Sequence, residues 1–419
     1  MTAVPFVGGY LYAYGFYDFC LALVGMLLVA GLALRQRSGW SPAATAGLAM
    51  LLLLTWAAHL LPVLVAGLLL SVLALCRIQV ARRHGLKAAL QDHLVPPAGL
   101  PVLALTVAFA LSAAARRGAP VRSSSVGSLL VGLLNLGRPL VVWTSWEYAG
   151  SALVAVGLVA LTWLGRGQRR RCPERTALAV TGMVLVGWYV ASPDRYGPAF
   201  GFLNDRLSVF PPLLLVLWAA FPAVPRRAGR VAVAVLLIGA AALVGLRLPT
   251  EVRYQRDVTE MLSVASQVPR GTTLVALRLW RDAPVGPDAR NQAPLRHEAG
   301  RIAVLRGGVD VGDYQAVTNY FPVRFRAGTD PRRAIDPDLQ GLERVPPRVD
   351  LTHGPQTVLL IGRARATRSV LVRPDSVRLL QQLNISYRLV ATSRRSRLVE
   401  VWTSRRRLDA AHSPRRRRS

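Results

Sequence analysis

The stretch AATAGLAMLLLLTWAAHLLPVLVAGLLLSVLALC, Ala43 to Cys76, decides the fold of this chain. It carries no Asp, Glu, Lys or Arg over 34 residues. A hydrocarbon core about 30 Å thick takes roughly 20 apolar residues as helix. The stretch is therefore too long for one crossing, and His59 and Pro62 interrupt it near the middle. It reads as two spans, Ala43–Ala58 and Leu60–Cys76, joined by a tight turn. The same reading extends outward to Gly15–Leu34, Pro97–Ala115, Tyr148–Leu164, Thr176–Ser192, Val209–Val224 and Val231–Leu246. The expected fold class is a polytopic α-helical membrane protein of about eight transmembrane helices. Helices are the economical choice there, because in lipid each backbone amide must find its partner within the segment.

Composition points the same way. The chain has 419 residues, 52% of them hydrophobic and 18% charged, against about 25% charged in ordinary globular proteins. That balance argues against a water-soluble enzyme. Three cysteines, Cys20, Cys76 and Cys172, show no paired spacing, which speaks against a disulfide framework and a Cys-based zinc site. The first residues carry no basic segment, so no cleavable signal peptide is expected.

Arginine sets the expected orientation. Arg35 and Arg37 follow the first span; Arg77, Arg82, Arg83 and Lys87 follow the third. Arg166, Arg169, Arg170, Arg171 and Arg175 separate the fifth and sixth; Arg226, Arg227 and Arg230 separate the last two. With eight spans all four clusters fall on one side, expected to be cytoplasmic. The N-terminus, the His59 turn, the Pro193–Leu207 loop and the C-terminal half then lie outside, in a cell (inner) membrane. The apolar stretch Val126–Trp143 reads as an interfacial helix on the outer leaflet. The alternative is a ninth span, which would reverse everything downstream.

After residue 247 the apolar runs shrink to strand length, and 31 Arg stand against 16 acidic residues. Residues 248–408 read as a small extracytoplasmic α/β domain. Thr272–Trp280 and Thr357–Ile361 are expected strands. Leu295–Leu305 and Val377–Leu383 are expected helices, and Ser386–Ala391 with Arg397–Thr403 a closing hairpin. Arg281–Gln292 and Asp330–Asp350 are loops by composition. Residues 409–419 form an expected basic, disordered tail.

Ionisable groups at the edge of a span are functional candidates by default. Asp18 stands in Gly15-Phe16-Tyr17-Asp18-Phe19 at the outer edge of the first span. Its ordinary reading is a carboxylate at headgroup level, its functional one a polar contact in a helix-lined cavity. His59, in Ala58-His59-Leu60, reads either as a neutral imidazole capping a helix or as a group for proton transfer or phosphate contact. The outer loop holds two Asp-Arg pairs, Asp194-Arg195 and Asp205-Arg206. An arginine there can grip a phosphate through two parallel hydrogen bonds, or the pairs can neutralise themselves as salt bridges that close the loop. His297 reads as a surface histidine, and Asn384-Ile385-Ser386 matches a glycosylation acceptor by a pattern common by chance. No metal-ligand spacing is present. No Walker A, Gly-x-Gly-x-x-Gly or Gly-x-Ser-x-Gly pattern is present either. No metal and no cofactor are expected. A nucleic-acid partner fits poorly with half the chain in lipid, whereas basic residues outside suit membrane lipids with anionic headgroups.

Gly9–Phe19, Thr55–Pro62 around His59, Asp194–Phe210, and Val268-Pro269-Arg270-Gly271-Thr272 with Pro294–Gly308 together resemble the later part of bacterial C-type (GT-C, mannosyltransferase-like) polytopic membrane glycosyltransferases. The resemblance is diffuse and covers most of the chain. It implies a polyprenyl-phosphate-linked sugar donor and a cell-envelope glycan acceptor. Members of that family carry their key acids in the first outer loop, where a carboxylate serves as general base. Here Asp18 is the first acid. The resemblance thus implies either a chain that begins after that loop or a non-catalytic relative, and it transfers no catalytic residue. A membrane-anchored scaffold for envelope assembly is the competing expectation. A transporter is disfavoured because no repeat is visible and the charged candidates share one face.

Overall fold

A computed structural model describes residues 10–13, 16–36, 39–82, 99, 101–102, 104–108, 120–121, 124–164, 172–196, 202–220, 226–280, 295, 298–312, 349, 351 and 354–412. The expected crossing over Pro97–Ala115 lies largely outside these residues, as do His297 and most of the two Pro/Gly-rich loops. The chain divides into two units, Met1–Arg247 and Leu248–Ser419.

The first unit is helical. Its main helices are α1 (Tyr17–Arg35), α2 (Pro42–Ala58), α3 (Leu60–Ala81), α4 (Val126–Leu134), α5 (Glu147–Leu164), α6 (Pro173–Ala191), α7 (Phe210–Ala220) and α8 (Arg226–Ser263), the last continuing into the second unit. Among the described residues, four helices are long and apolar enough to cross a membrane: α1, α3, α5 and the segment Gly229–Gln267 that contains most of α8. Four of the expected eight are thus met by length and composition among the described residues, and eight are not supported. Of the others, α2 has only 17 residues, α6 opens on the charged pair Glu174 and Arg175, and α7 is described over 11.

Local chemistry explains the breaks. Ser41 caps α2, its side chain accepting from the Ala44 N–H at 3.2 Å, with Pro42 in the first turn. His59 is extended (φ −165°, ψ 136°) and ends α2 while opening α3. Its Nδ1 accepts from the Leu61 N–H at 3.1 Å, satisfying a donor that the start of a helix leaves without an intrahelical partner. Val126–Trp143 is not one helix. α4 stops at Leu134, Leu136 adopts a left-handed conformation (φ 53°), and a single turn follows over Gly137–Leu140. Nine residues of helix rise only about 14 Å, so α4 does not cross a membrane by itself. Its Val131 and Leu134 are exposed, as an interfacial helix requires.

α1 packs on α2 and α3, α6 on α3 and α7, and α5 on α7. A close approach joins α5 to α8. A Cβ on Gly239 would lie 2.9 Å from Val154 Cγ2 and 3.0 Å from the Val154 backbone nitrogen; one on Gly157 would lie 2.8 Å from Leu236 Cδ2. Small residues let helix backbones approach where lipid supplies no hydrophobic drive. Gly239→Leu should therefore destabilise the unit by about 1–3 kcal/mol through overpacking, seen as a lower melting temperature in detergent. An unchanged melt would show that the helices can separate without cost.

The expected end of the last span near Leu246 is not an end. α8 runs unbroken through Arg247 and Pro249 to Ser263, about 57 Å of helix. Its final turns belong to the second unit, where a five-stranded sheet has the order β4-β3-β5-β7-β6. β3 (Thr273–Arg278) pairs in parallel with β4 (Val309–Asp310) and β5 (Thr357–Ile361); β7 (Val399–Ser404) is antiparallel to β5 and to β6 (Tyr387–Thr392). Two short strands of the first unit, β1 (Pro120–Val121) and β2 (Arg195–Tyr196), form a separate ribbon. The run Thr-Val-Leu-Leu-Ile of β5 is buried at every position, as expected of a central strand covered on both faces. Leu359 and Ile361 face Met261, Val264 and Ile302, the last on α9 (Glu298–Arg306). Val358 and Leu360 face Leu379 and Leu383 of α10 (Pro374–Ser386). Gly362, at φ 79°, ends β5 beside Trp280, where a Cβ would lie 2.5 Å from the Trp280 Cβ. A last helix, α11 (Arg405–His412), extends into the stretch expected as a tail; residues 413–419 lie outside the described residues. Asn384 is exposed in the last turn of α10.

Candidate functional site

α3 gives the helical unit its two ends. His59 opens it and Arg77 lies 18 residues on, about 27 Å along the axis. Around Arg77 the bundle is closed by a buried ion pair. The Arg77 Nε and Nη2 donate to Glu174 Oε1 at 3.1 and 2.8 Å, and Nη1 donates to the Gln36 carbonyl at 2.6 Å. The Cys172 thiol donates to Glu174 Oε2 at 2.6 Å. The ends of α1 and α3 and the start of α6 are thereby tied together. Arg77, read from sequence as one of an arginine cluster after the third span, is 6% exposed and engaged in structure.

The His59 end carries the candidate residues. Phe19 of α1 meets His59 edge to face at 5.1 Å and Phe210 of α7 at 5.9 Å. Phe16 meets Phe202 at 5.4 Å, and the Arg206 guanidinium lies over the Phe16 ring at 4.3 Å. Arg206 is placed by a five-residue helix, Leu203–Leu207, that starts after the left-handed Phe202. Arg206 and Asp18 are both near enough to His59 for their charges to act on it. Asp18 itself is exposed in the first turn of α1, where a negative charge suits the helix dipole. Three of the six sequence candidates, Asp18, His59 and Arg206, thus converge on one aromatic-walled end of the bundle. Nδ1 of His59 accepts a backbone proton, so in the neutral ring Nε2 carries the hydrogen. Stacking engages the face of the Arg206 guanidinium, whereas phosphate recognition uses its N–H edge, so the two are geometrically compatible.

Asp194 and Asp205 go elsewhere. Asp194 accepts from the Ser124 N–H at 2.9 Å, the Ser124 hydroxyl at 3.1 Å and the Asn204 amide at 2.9 Å. Arg138 reaches Asp205 at 3.2 Å and Asp194 at 3.9 Å, and donates to the Ser124 hydroxyl at 2.6 Å. The loop is therefore closed by salt bridges to Arg138, a cation from outside the two Asp-Arg pairs that the sequence reading had considered. Arg195 contributes its backbone to β2, opposite Val121; its side chain lies outside the described residues.

Arg138 was visible in the sequence only as one of two polar interruptions in an apolar stretch. Glu147, at the same end, was not singled out. It is fully buried, accepts from the N–H groups of Val142, Trp143 and Thr144 at 2.9, 2.7 and 3.0 Å, and is paired with Arg247 Nε at 2.9 Å. Arg247 also donates to the Leu140 carbonyl. A single acid at the start of an apolar helix and a single arginine at the end of another were the available signal. No group of three or more His, Cys, Asp or Glu able to hold a metal occurs among the described residues. No protein-family model, curated protein or solved structure matches this chain.

Proposed function

We propose that this chain is an integral membrane protein of glycosyltransferase type that takes a polyprenyl-phosphate-linked sugar for cell-envelope glycan assembly. Arg206 holds the donor phosphate, with His59 and Asp18 beside it. One observation carries the reading: a guanidinium stacked on Phe16 at one end of an apolar bundle, with its charge and that of the exposed Asp18 both within electrostatic reach of His59. A lipid-linked phosphate presents its charge at that level, next to an apolar chain that needs the bundle's lipid-facing surface. In this reading α2, α6, α7 and the stretch over Pro97–Ala115 complete eight crossings. The His59 end then faces away from the cytoplasm, and the second unit is extracytoplasmic.

Arg206→Ala in nanodiscs should weaken polyprenyl-phosphate binding about 10- to 100-fold, the loss of a charge-assisted contact worth about 1.5–3 kcal/mol, while insertion is unchanged. Unaltered binding would remove Arg206 from the mechanism.

A second reading, a non-enzymatic envelope scaffold, is favoured by the engagement of Asp194 and Asp205 in loop closure, which leaves Asp18 as the exposed carboxylate of the set. The triple variant Asp18→Ala, His59→Ala, Arg206→Ala separates the two in a complementation assay: a scaffold tolerates it and an enzyme does not.

A further inference from the structure

The second unit holds a cavity that the proposed donor site does not use. It is open, with a volume of about 170 Å³, and is walled by Arg253 and Arg256 of α8 and by Arg395 of the β6–β7 turn. Its floor is Asp257, Glu260, Arg365 and Ser396.

The floor is tied together by hydrogen bonds and keeps one uncompensated carboxylate, Glu260. Arg365 donates from Nη1 to Asp257 Oδ2 at 2.8 Å and from Nη2 to Asp257 Oδ1 at 2.7 Å, a bidentate pair, and reaches the Ser396 hydroxyl at 3.1 Å. Glu260 accepts from the Ser393 hydroxyl at 2.7 Å, the Ser396 N–H at 2.7 Å, the Ser396 hydroxyl at 2.8 Å and the Leu398 N–H at 3.3 Å. Asp257 is neutralised by Arg365 and Glu260 by no cation among these contacts, so four arginines against two acids leave the cavity with a net positive charge carried by its wall. Arg253, Arg256 and Arg395 are exposed, and no ion pair joins any of them to a described acidic residue. Three arginines around a rigid, hydrogen-bonded floor form a positive concavity, where fields focus and anions concentrate.

We propose that this cavity is an anion site that binds a phosphate group, gripped by the three wall arginines in the planar, multi-donor manner that lysine cannot reproduce. The phosphate can come from a soluble phosphorylated compound or from the headgroup of an anionic lipid. Arg253 and Arg256 follow Arg247, where the apolar stretch of α8 ends, by six and nine residues.

The test uses the full chain in nanodiscs. Inorganic phosphate is titrated by calorimetry with phosphatidylcholine as the only lipid. In a second arm, phosphatidic acid is exchanged into the discs and its enrichment around the protein is measured. The pocket variant is Arg253→Gln, Arg256→Gln, Arg395→Gln. The charge-matched control is Arg368→Gln, Arg378→Gln, Arg388→Gln, three exposed arginines outside the cavity.

The expected result is binding in at least one arm that falls tenfold or more in the pocket variant and less than threefold in the control. Loss in the inorganic-phosphate arm assigns a soluble ligand, and loss confined to the phosphatidic-acid arm assigns a headgroup. Equal losses in the two variants, or no binding of either probe by the unaltered chain, would overturn the proposal. Both arms are repeated in the Arg206→Ala background, which removes phosphate held at the proposed donor site, and the loss in the pocket variant should persist there.

Discussion

Glu147→Ala is expected to destabilise the helical unit by about 3–5 kcal/mol, the scale for removing one partner of a buried ion pair. Two losses combine. Arg247, 4% exposed, would keep its charge with no carboxylate beside it. The N–H groups of Val142, Trp143 and Thr144, which all point at the Glu147 carboxylate, would lose their acceptor in a place that water does not reach. Such donors cost about 1–3 kcal/mol when left unmade in a protein interior. Glu147→Gln separates the two, since an amide oxygen still accepts from backbone but no longer balances Arg247. It should fall between alanine and the unaltered chain, and adding Arg247→Met should recover part of the loss. Thermal unfolding in detergent, followed by helical circular dichroism, reads all four proteins. Melting of Glu147→Ala within 1 kcal/mol of the unaltered chain would contradict the buried geometry.

Glu260→Ala should cost the second unit about 2–4 kcal/mol, because one carboxylate organises the whole turn between β6 and β7. The Ser396 and Leu398 N–H groups and the Ser393 and Ser396 hydroxyls all donate to it. Arg397, at φ 55°, holds a left-handed conformation in that turn and depends on it being pinned. A pH dependence accompanies the stability loss. Burial pushes the Glu260 carboxyl up, but the hydrogen bonds from Ser393, Ser396 and Leu398 together hold it below its ordinary value of 4.5. A carboxylate whose folded pKa lies below its unfolded one contributes its stability fully above the unfolded value and loses it as pH falls through the folded one. Melting temperature should thus drop below about pH 4.5 in the unaltered chain, with a shallower drop in Glu260→Gln. Parallel pH profiles for the two would show that the turn does not sense this group.

How much was legible in the sequence varies by element. β5 was read residue for residue as Thr357–Ile361, because a short apolar run between turn formers has few other solutions. The β6–β7 hairpin and the helices near Leu295 and Val377 were also read within a few residues. The break at His59 was visible because 34 apolar residues are too many for one crossing and His59 and Pro62 interrupt them. Apolar composition was sufficient for expected crossings whose described helices are shorter than a span needs: α2 has 17 residues and α7 is described over 11. Conversely α8 was cut short at Leu246, because a charge and a proline mark a helix end in composition while the backbone runs through them.

The candidate site shows the same division. Sequence placed Asp18, His59 and Arg206 at helix edges, since charged groups are expelled from lipid, and edge positions follow from hydropathy alone. It could not assign partners. Arg138 lies 67 residues from Asp205, Glu147 lies 100 from Arg247, and Arg77 lies 97 from Glu174. Which charge meets which depends on how helices pack side by side, a property of their surfaces that no local pattern encodes. By itself the sequence determined that much of the first unit is apolar helix and that an α/β unit follows, because periodicity and hydrophobic length are local quantities. The tertiary structure alone decided that Asp194 and Asp205 close a loop on Arg138, that Arg206 stacks on Phe16, and that three arginines ring a cavity. Those arrangements rest on distances of a few ångströms between residues far apart in the chain.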